Sequence, residues 1–368
     1  MKNILIVGLP FFPHKYNYVV DSYKKNNVNI KVLLNKKKTD PINTEQSIFV
    51  YAGTNIFMRV FSYFKVLMMF KPKNIDCYDY SILSVFYVLL ARALNINVRF
   101  WLIGWELTGD KQNINNESYK SIILVSIKKK LTRLAVRFSN KIYAKEKHHL
   151  VSLAEISPKL LNKVVSIYNA VPVQEYVKPR GKKNKKDFIY ANAVIEKRNV
   201  IELIESFNEL KEKGKSFNAS IYGFNSISNE VYAPRGVSYS EKALDVYEKL
   251  NISDVVSAHG FVSNIREIMK KHRFFVLPAD IILANYALLE SMSLGLVPVV
   301  YPGDGFEEII TDGVNGIVVK NNNLTAALEL ALSLTEEEYN KLSYEAYCQI
   351  KNNFSLDEWA KKITLDLV

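Results

Sequence analysis

Lys197, Asn285 and Glu290 are the residues whose types and spacing could do chemistry. The run Phe274–Pro302, FFVLPADIILANYALLESMSLGLVPVVYP, reads as strand, loop, short helix, turn, strand. Pro278 closes a buried strand end at Phe274–Leu277, and Asn285 is a good N-cap for a helix over Tyr286–Leu294. Gly295 suits the left-handed residue that ends such a helix, and Val297–Tyr301 reads as the next parallel strand. A helix that starts at the end of a buried strand offers free N–H groups and a positive dipole end, which is a phosphate site. Glu290 lies just over one turn into that helix, within reach of whatever adjoins the phosphate. Lys197, in the loop YANAVIEKRN after a strand at Phe188–Ala191, can reach a diphosphate as a point charge. Asn285 either donates to the anion or only caps. The competing reading is an ordinary βαβ unit with a surface Glu. No Asp-x-Asp occurs and no His/Cys cluster has ligand spacing, so Lys and a helix end, rather than a metal, are expected to neutralise the charge.

Two further positions could carry chemistry. Gly8 opens the loop GLPFFPHKYNY after a first strand at Asn3–Val7, and His14 is that loop's one acid/base group, or a loop histidine with no role. No GxGxxG occurs, so a dinucleotide is not indicated. A strand at Asn97–Ile103 ends in Gly104-Trp105-Glu106, which puts a carboxylate where parallel sheets bind ligands. Glu106 is either catalytic or sugar-binding there, or it caps a helix or pairs with a Lys.

The elements that position these groups alternate strand and helix twice over. The first series runs to Asn169-Ala170-Val171-Pro172, and a basic linker follows at residues 173–186. The second series contains strands at Phe188–Ala191, Asn218–Tyr222 (ending at Gly223), Val255–Phe261 and the two named above. It has helices at Asn199–Lys213, Ala243–Leu250, Ile265–Lys271, Phe306–Thr311, Leu324–Leu334 and Glu336–Asn352. The pattern predicts an α/β chain of two Rossmann-like domains facing a central cleft. The expected bounds are 1–173 for the first domain and 187–353 for the second, which holds Lys197, Asn285 and Glu290. Residues 354–368 form a helix crossing back to the first domain.

At 368 residues, 48% hydrophobic and 23% charged, the chain reads as a soluble globular protein. No apolar run is long enough to span a bilayer, and MKNILIVGLPFF fits a first strand better than a signal peptide. Two cysteines, Cys77 and Cys348, fit a reducing cytoplasm. A net charge of +12 favours anionic partners, although no basic-aromatic motif points to nucleic acid. Ser118–Phe138 is a basic amphipathic helix. Ile123, Ile127, Leu131, Leu134 and Phe138 fall on one side, while Lys128, Lys129, Lys130, Arg133 and Arg137 crowd the other. It suits an acidic membrane face. Phe57–Lys71, FMRVFSYFKVLMMFK, is a strongly apolar helix, to be read as core or as a membrane-surface element.

On these residues the chain resembles a glycosyltransferase of the GT-B fold, most similar to the retaining family 4. SIYNAVP resembles that family's turn out of the first domain, AHGFV at 258–262 its nucleobase strand end, and LLESMSLGLVPVV its donor helix. GFEEIITDGVNGIVV at 305–319 resembles the closing motif, and FSLDEWAKKI the crossover helix. The resemblance implies that Glu290 bonds the donor ribose, Lys197 holds the diphosphate, and Phe261 and Val262 flank the base. Asn192, Asn285, Gly223 and Leu289 complete the donor site, and Gly8 permits close approach of acceptor or phosphate. It implies no cofactor and no metal. The expected donor is a nucleotide sugar, UDP favoured and GDP or dTDP possible, and the acceptor a saccharide or lipid-linked saccharide. Retaining transfer would proceed by front-face attack without an enzyme nucleophile, with Glu106 orienting the reactants. The Lys- and Asn-rich composition points to an AT-rich bacterial source, and with the resemblance to surface-polysaccharide assembly (capsule or lipopolysaccharide) on the inner face of the cytoplasmic membrane. Three departures stand out: the family's first motif Glu falls on Ile282, its usual Gly-Phe-Gly on Leu283-Ala284-Asn285, and the arginine that partners the lysine on Asn192. The competing reading is a non-catalytic relative that binds a nucleotide sugar or supports a partner enzyme.

Overall fold

The structure is a computed structural model that describes residues 2–8, 16–34, 48–53, 55–104, 107, 119–144, 147–177, 186–225 and 237–367. The chain divides into two units, Met1–Tyr168 with Leu356–Val368, and Asn169–Ser355.

In the first unit, Lys2–Val7 (β1), Val28–Leu34 (β2), Phe49–Tyr51 (β3), Asn74–Cys77 (β4), Asn97–Leu102 (β5), Lys141–Ala144 (β6) and Val164–Ser166 (β7) form one sheet. Its order is β3-β2-β1-β4-β5-β6-β7, with every pair parallel. Tyr16–Lys25 (α1), Ile56–Phe70 (α2), Ser84–Ala93 (α3), Tyr119–Phe138 (α4) and Lys147–Ile156 (α5) connect the strands. A parallel sheet is covered on both faces, which is why Ile4–Val7 of β1 is an unbroken apolar run. Leu5 and Val7 enter one core cluster, and Ile4 and Ile6 the other. The sequence pattern shows no strand at β4, because Asn74 and Asp76 interrupt its apolar run. Both are buried and satisfied: Asn97 Nδ2 donates to Asn74 Oδ1 at 3.0 Å, and Arg99 Nε to Asp76 Oδ1 at 2.6 Å. The strand order turns around between β1 and β4, and Gly8 sits there. Its φ is +75°, and a Cβ would lie 3.0 Å from the Tyr78 carbonyl carbon.

Helix α4 leaves much of its apolar side exposed. Thr132, Ala135 and Val136 are buried, whereas Ile123, Ile127, Leu134 and Phe138 are each more than a third exposed.

In the second unit, Lys186–Ala191 (β8), Ala219–Tyr222 (β9), Val256–His259 (β10), His272–Leu277 (β11), Val297–Val300 (β12) and Ile317–Val318 (β13) form a sheet of order β10-β9-β8-β11-β12-β13. All its pairs are parallel. The helices are Val200–Glu212 (α6), Val237–Lys249 (α7), Ile265–Met269 (α8), Tyr286–Ser293 (α9), Leu324–Ser333 (α10) and Glu336–Asn353 (α11). Here the order turns around between β8 and β11. The helix expected at Phe306–Thr311 is instead a set of turns. The Asn315 side chain takes the Thr311 amide at 2.7 Å and donates to the Ile309 carbonyl at 3.0 Å, so it supplies the bonds that a helix would otherwise make.

The terminal helix Leu356–Leu365 (α12) belongs to the first unit. Arg99 is fully buried and donates from Nε to Asp76, from Nη1 to the Ile363 carbonyl, and from Nη2 to Tyr23 Oη. Just past the end of this helix, Asp366 pairs with Lys141 at 2.5 Å. A desolvated guanidinium needs such partners, and the terminal helix supplies one of them.

Candidate active site

Of the second unit's candidate residues, Asn192, Lys197, Asn285, Leu289 and Glu290 lie on the segments that follow β8 and β11, where its strand order turns around. In a doubly wound sheet the chain leaves the C-terminal ends of two neighbouring strands in opposite directions there, and opens a crevice. The loop after β8 holds Asn192 and a 3-10 turn, Glu196–Arg198. The loop after β11 runs through 278–285 into α9.

Three successive residues of the first loop bond to the second. The Lys197 carbonyl accepts from the Asp280 amide at 3.2 Å. Arg198 Nη1 donates to the Ile281 carbonyl at 2.7 Å, and Asn199 Nδ2 to Asp280 Oδ1 at 2.7 Å. Among the described residues, the Lys197 ammonium has neither an ion pair nor a hydrogen bond. Burial lowers the Arg198 guanidinium below its ordinary pKa, while Tyr190 and Asp280 oppose that shift. Sequence reasoning missed Arg198. Its only signal was the Lys-Arg pair in VIEKRN.

Asn285 caps α9. Its Oδ1 accepts from the Ala287 amide at 3.0 Å and the Leu288 amide at 3.2 Å, and Asn192 Nδ2 donates to the same oxygen at 3.3 Å. Two of the helix's leading amides are therefore occupied by the chain itself rather than free, and of the two roles open to Asn285 the structure shows the cap. Asn192 is held in turn by Gly223. At φ +120°, a Cβ on Gly223 would fall 1.9 Å from the Asn192 carbonyl oxygen. Asn169 Nδ2 donates to the Ala284 carbonyl at 2.6 Å, one residue before the cap.

The loop before α9 is pinned from its other side by 303–305. The Ile282 and Leu283 amides both donate to the Asp304 carbonyl at 3.0 Å, and the Asp304 amide returns a bond to Asp280 at 2.9 Å. Ile282 is buried, so this position packs into the unit rather than presenting a polar group. Leu283 adopts φ +47°, a left-handed conformation that costs a leucine ~1–2 kcal/mol.

Glu290 and Leu289 lie on α9 and are buried; Leu289 faces the core, and Glu290 is engaged within the chain. Phe261 is exposed and Val262 half-buried, just past β10. Beside them His259 stacks on Tyr222 with centroids 4.4 Å apart, and both burial and Lys186 lower its pKa. Among the described residues, its Nε2 is buried without a hydrogen-bond partner. Gly8 lies in the other unit, at that unit's own turn-around point. Glu106 and His14 lie outside the described residues, as does most of the basic linker. Among the described residues, no group of three or more His, Cys, Asp or Glu is placed to hold a metal ion.

A family model described as glycosyl transferases group 1 matches residues 173–349. No curated protein matches the sequence. Among solved structures, a glycosyltransferase from Rickettsia africae is similar at 14% identity and TM-score 0.75, over 99% of this chain and 97% of that one. HepE of Anabaena, solved in complex with UDP-glucose, is 13% identical at TM-score 0.70, over 100% and 99% of the two chains. The lipopolysaccharide outer core galactosyltransferase WaaB, in its apo form, is 14% identical at TM-score 0.66, over 99% and 98%. At these identities the likeness establishes the fold.

Proposed function

We propose that this chain, which has the GT-B fold and a glycosyl transferases group 1 match at residues 173–349, is a glycosyltransferase that moves a sugar from a nucleotide-diphosphate donor onto a lipid-linked saccharide of a bacterial surface polysaccharide. The carrying observation is the Lys197–Arg198 turn bonded to the loop that enters α9. It brings two positive side chains to the turn-around point of the sheet, where a diphosphate would lie. A cation held on a short, cross-linked loop stabilises leaving-group charge without reorganising as the bond breaks. Arg198 offers a second charge where Asn192 replaces the family's arginine. The donor diphosphate is thereby neutralised without a metal.

The reaction retains configuration. The acceptor hydroxyl attacks the anomeric carbon on the face the diphosphate is leaving, the bond from that carbon to the phosphate oxygen breaks, and this oxygen takes the hydroxyl proton. Glu290 grips the ribose, Phe261 and Val262 bracket the base, and Glu106 orients the reactants. HepE's complex with UDP-glucose supports a UDP-sugar, and WaaB's name supports a surface saccharide as acceptor. The acidless, basic helix α4, with exposed Lys128 and Lys130, supports attachment to the acidic inner face of the cytoplasmic membrane. No helix among the described residues is long and apolar enough to cross a membrane. A thermal-shift screen against UDP-, GDP- and dTDP-sugars tests the reading. A UDP-sugar should raise the melting temperature, and radiolabel from it should pass to a lipid-extractable product. No shift with any nucleotide sugar would sink the proposal.

A further inference from the structure

Helix α2 turns its most apolar side to solvent. Phe57, Phe61, Phe64 and Met68 follow one another at helical spacing, with Met58 and Met69 beside them. Phe57 is 86% exposed, Met69 74% and Phe61 67%. The opposite side is an ordinary packed face: Tyr63, Val66 and Leu67 are buried, and Tyr63 Oη donates to the Tyr87 carbonyl at 2.7 Å. A soluble surface rarely leaves three Phe and three Met contiguous, and such a face marks a docking site.

We propose that α2 lies in the interface of an anionic lipid bilayer, inserting this Phe/Met face below the headgroups. The inference extends the membrane attachment read above from the charge of α4, and so rests on it. Charge argues for the occupant. Neither α2 nor α4 contains an acid, and Arg59, Lys65, Lys71 and Lys73 lie along or just beyond α2. Lys65 is exposed within the apolar arc. Its long stem can follow the apolar side chains while the ammonium stays at phosphate depth. A second copy using the same face would set Lys65 against Lys65 with no acid on the helix to offset them. A fluid bilayer, by contrast, accepts protruding rings without a shaped counterpart. α4 presents Ile123, Leu124 and Ile127 next to Lys128 and Lys130, which provides the second signal that stable attachment needs.

The test is co-sedimentation of the full chain with phosphatidylglycerol–phosphatidylcholine vesicles at low and high salt. Phe57→Ser/Phe61→Ser/Phe64→Ser should cut vesicle partitioning about tenfold or more at either salt. Lys128→Gln/Lys130→Gln should remove mainly the salt-sensitive part. If the wild type binds and the triple variant binds equally, α2 does not insert, although the membrane reading survives. If the wild type binds no vesicle, both fail. A wild-type dimer that the triple variant converts to monomer, with no effect on vesicles, assigns the face to a second copy and overturns the proposal. Phe61→Trp covers the case in which the triple variant misfolds. Lipids brominated on the acyl chain should quench its added fluorescence, and unquenched emission from bound protein contradicts insertion.

Discussion

The amide of Asp280 donates to the carbonyl of Lys197 at 3.2 Å. The bond ties the basic turn after β8 to the loop that enters α9, and Arg198 and Asn199 add two more bonds to the same loop. Charge and helix end are thus held together by short-range bonds rather than by chance proximity.

Removing the Lys197 ammonium should affect ligand more than fold. Lys197→Ala is expected to weaken UDP-sugar binding about tenfold or more while leaving the melting temperature of the free protein within a degree or two. Titration calorimetry measures the first and a thermal melt the second. Unchanged affinity would remove Lys197 from the site.

Arg198→Ala should differ from Lys197→Ala in kind. It strips the Ile281 carbonyl of a donor and loosens the loop before α9, so a loss of ~1–3 kcal/mol is expected in denaturant unfolding, together with weaker donor binding. Arg198→Lys should recover the charge but only part of the stability, because an ammonium cannot reproduce the guanidinium's reach.

Gly223→Ala tests the backbone contact that seats Asn192. The added Cβ would meet a carbonyl oxygen at 1.9 Å, and φ is +120°, so the strands must part. Destabilisation of ~2–4 kcal/mol is expected, with donor binding lost in parallel. Wild-type stability in this variant would show that the two strand ends are not in contact.

Arg99→Met should loosen the C-terminal helix. The change leaves Asp76 buried without its cation and withdraws a donor from the Ile363 carbonyl. Breaking such a pair costs ~3–5 kcal/mol. Limited proteolysis should then cut near residues 356–365 faster than in the wild type, and equal cleavage rates would show that the network does not hold the helix.

His259 makes stability depend on pH. Burial and Lys186 lower its folded pKa, so the unfolded chain takes up a proton on this ring at higher pH than the folded one does. Unfolding free energy should therefore fall as pH drops below about 6.5, the unfolded value, and level off below the folded pKa. His259→Phe keeps a ring over Tyr222 and should flatten that slope between about pH 7.5 and 5 in thermal melts. An unchanged slope would assign it to other groups.

The sequence alone determined the α/β alternation, the GT-B resemblance, the Asn285 cap and the interest of Lys197 and Glu290. Each is written in local spacing: apolar runs of strand length, a capping side chain, a glycine after a helix. What local spacing cannot carry was decided by tertiary structure. β4 escaped because its buried Asn74 and Asp76 look like surface residues until Asn97 and Arg99 are brought beside them from elsewhere in the chain. Arg198 joined the candidate site because its carbonyl partner lies 83 residues away. The apolar stripes of α2 and α4 were legible, but whether a stripe faces core or solvent depends on what packs against it. Hydrophobic periodicity records that a face exists, and only the assembled neighbours settle which one is covered.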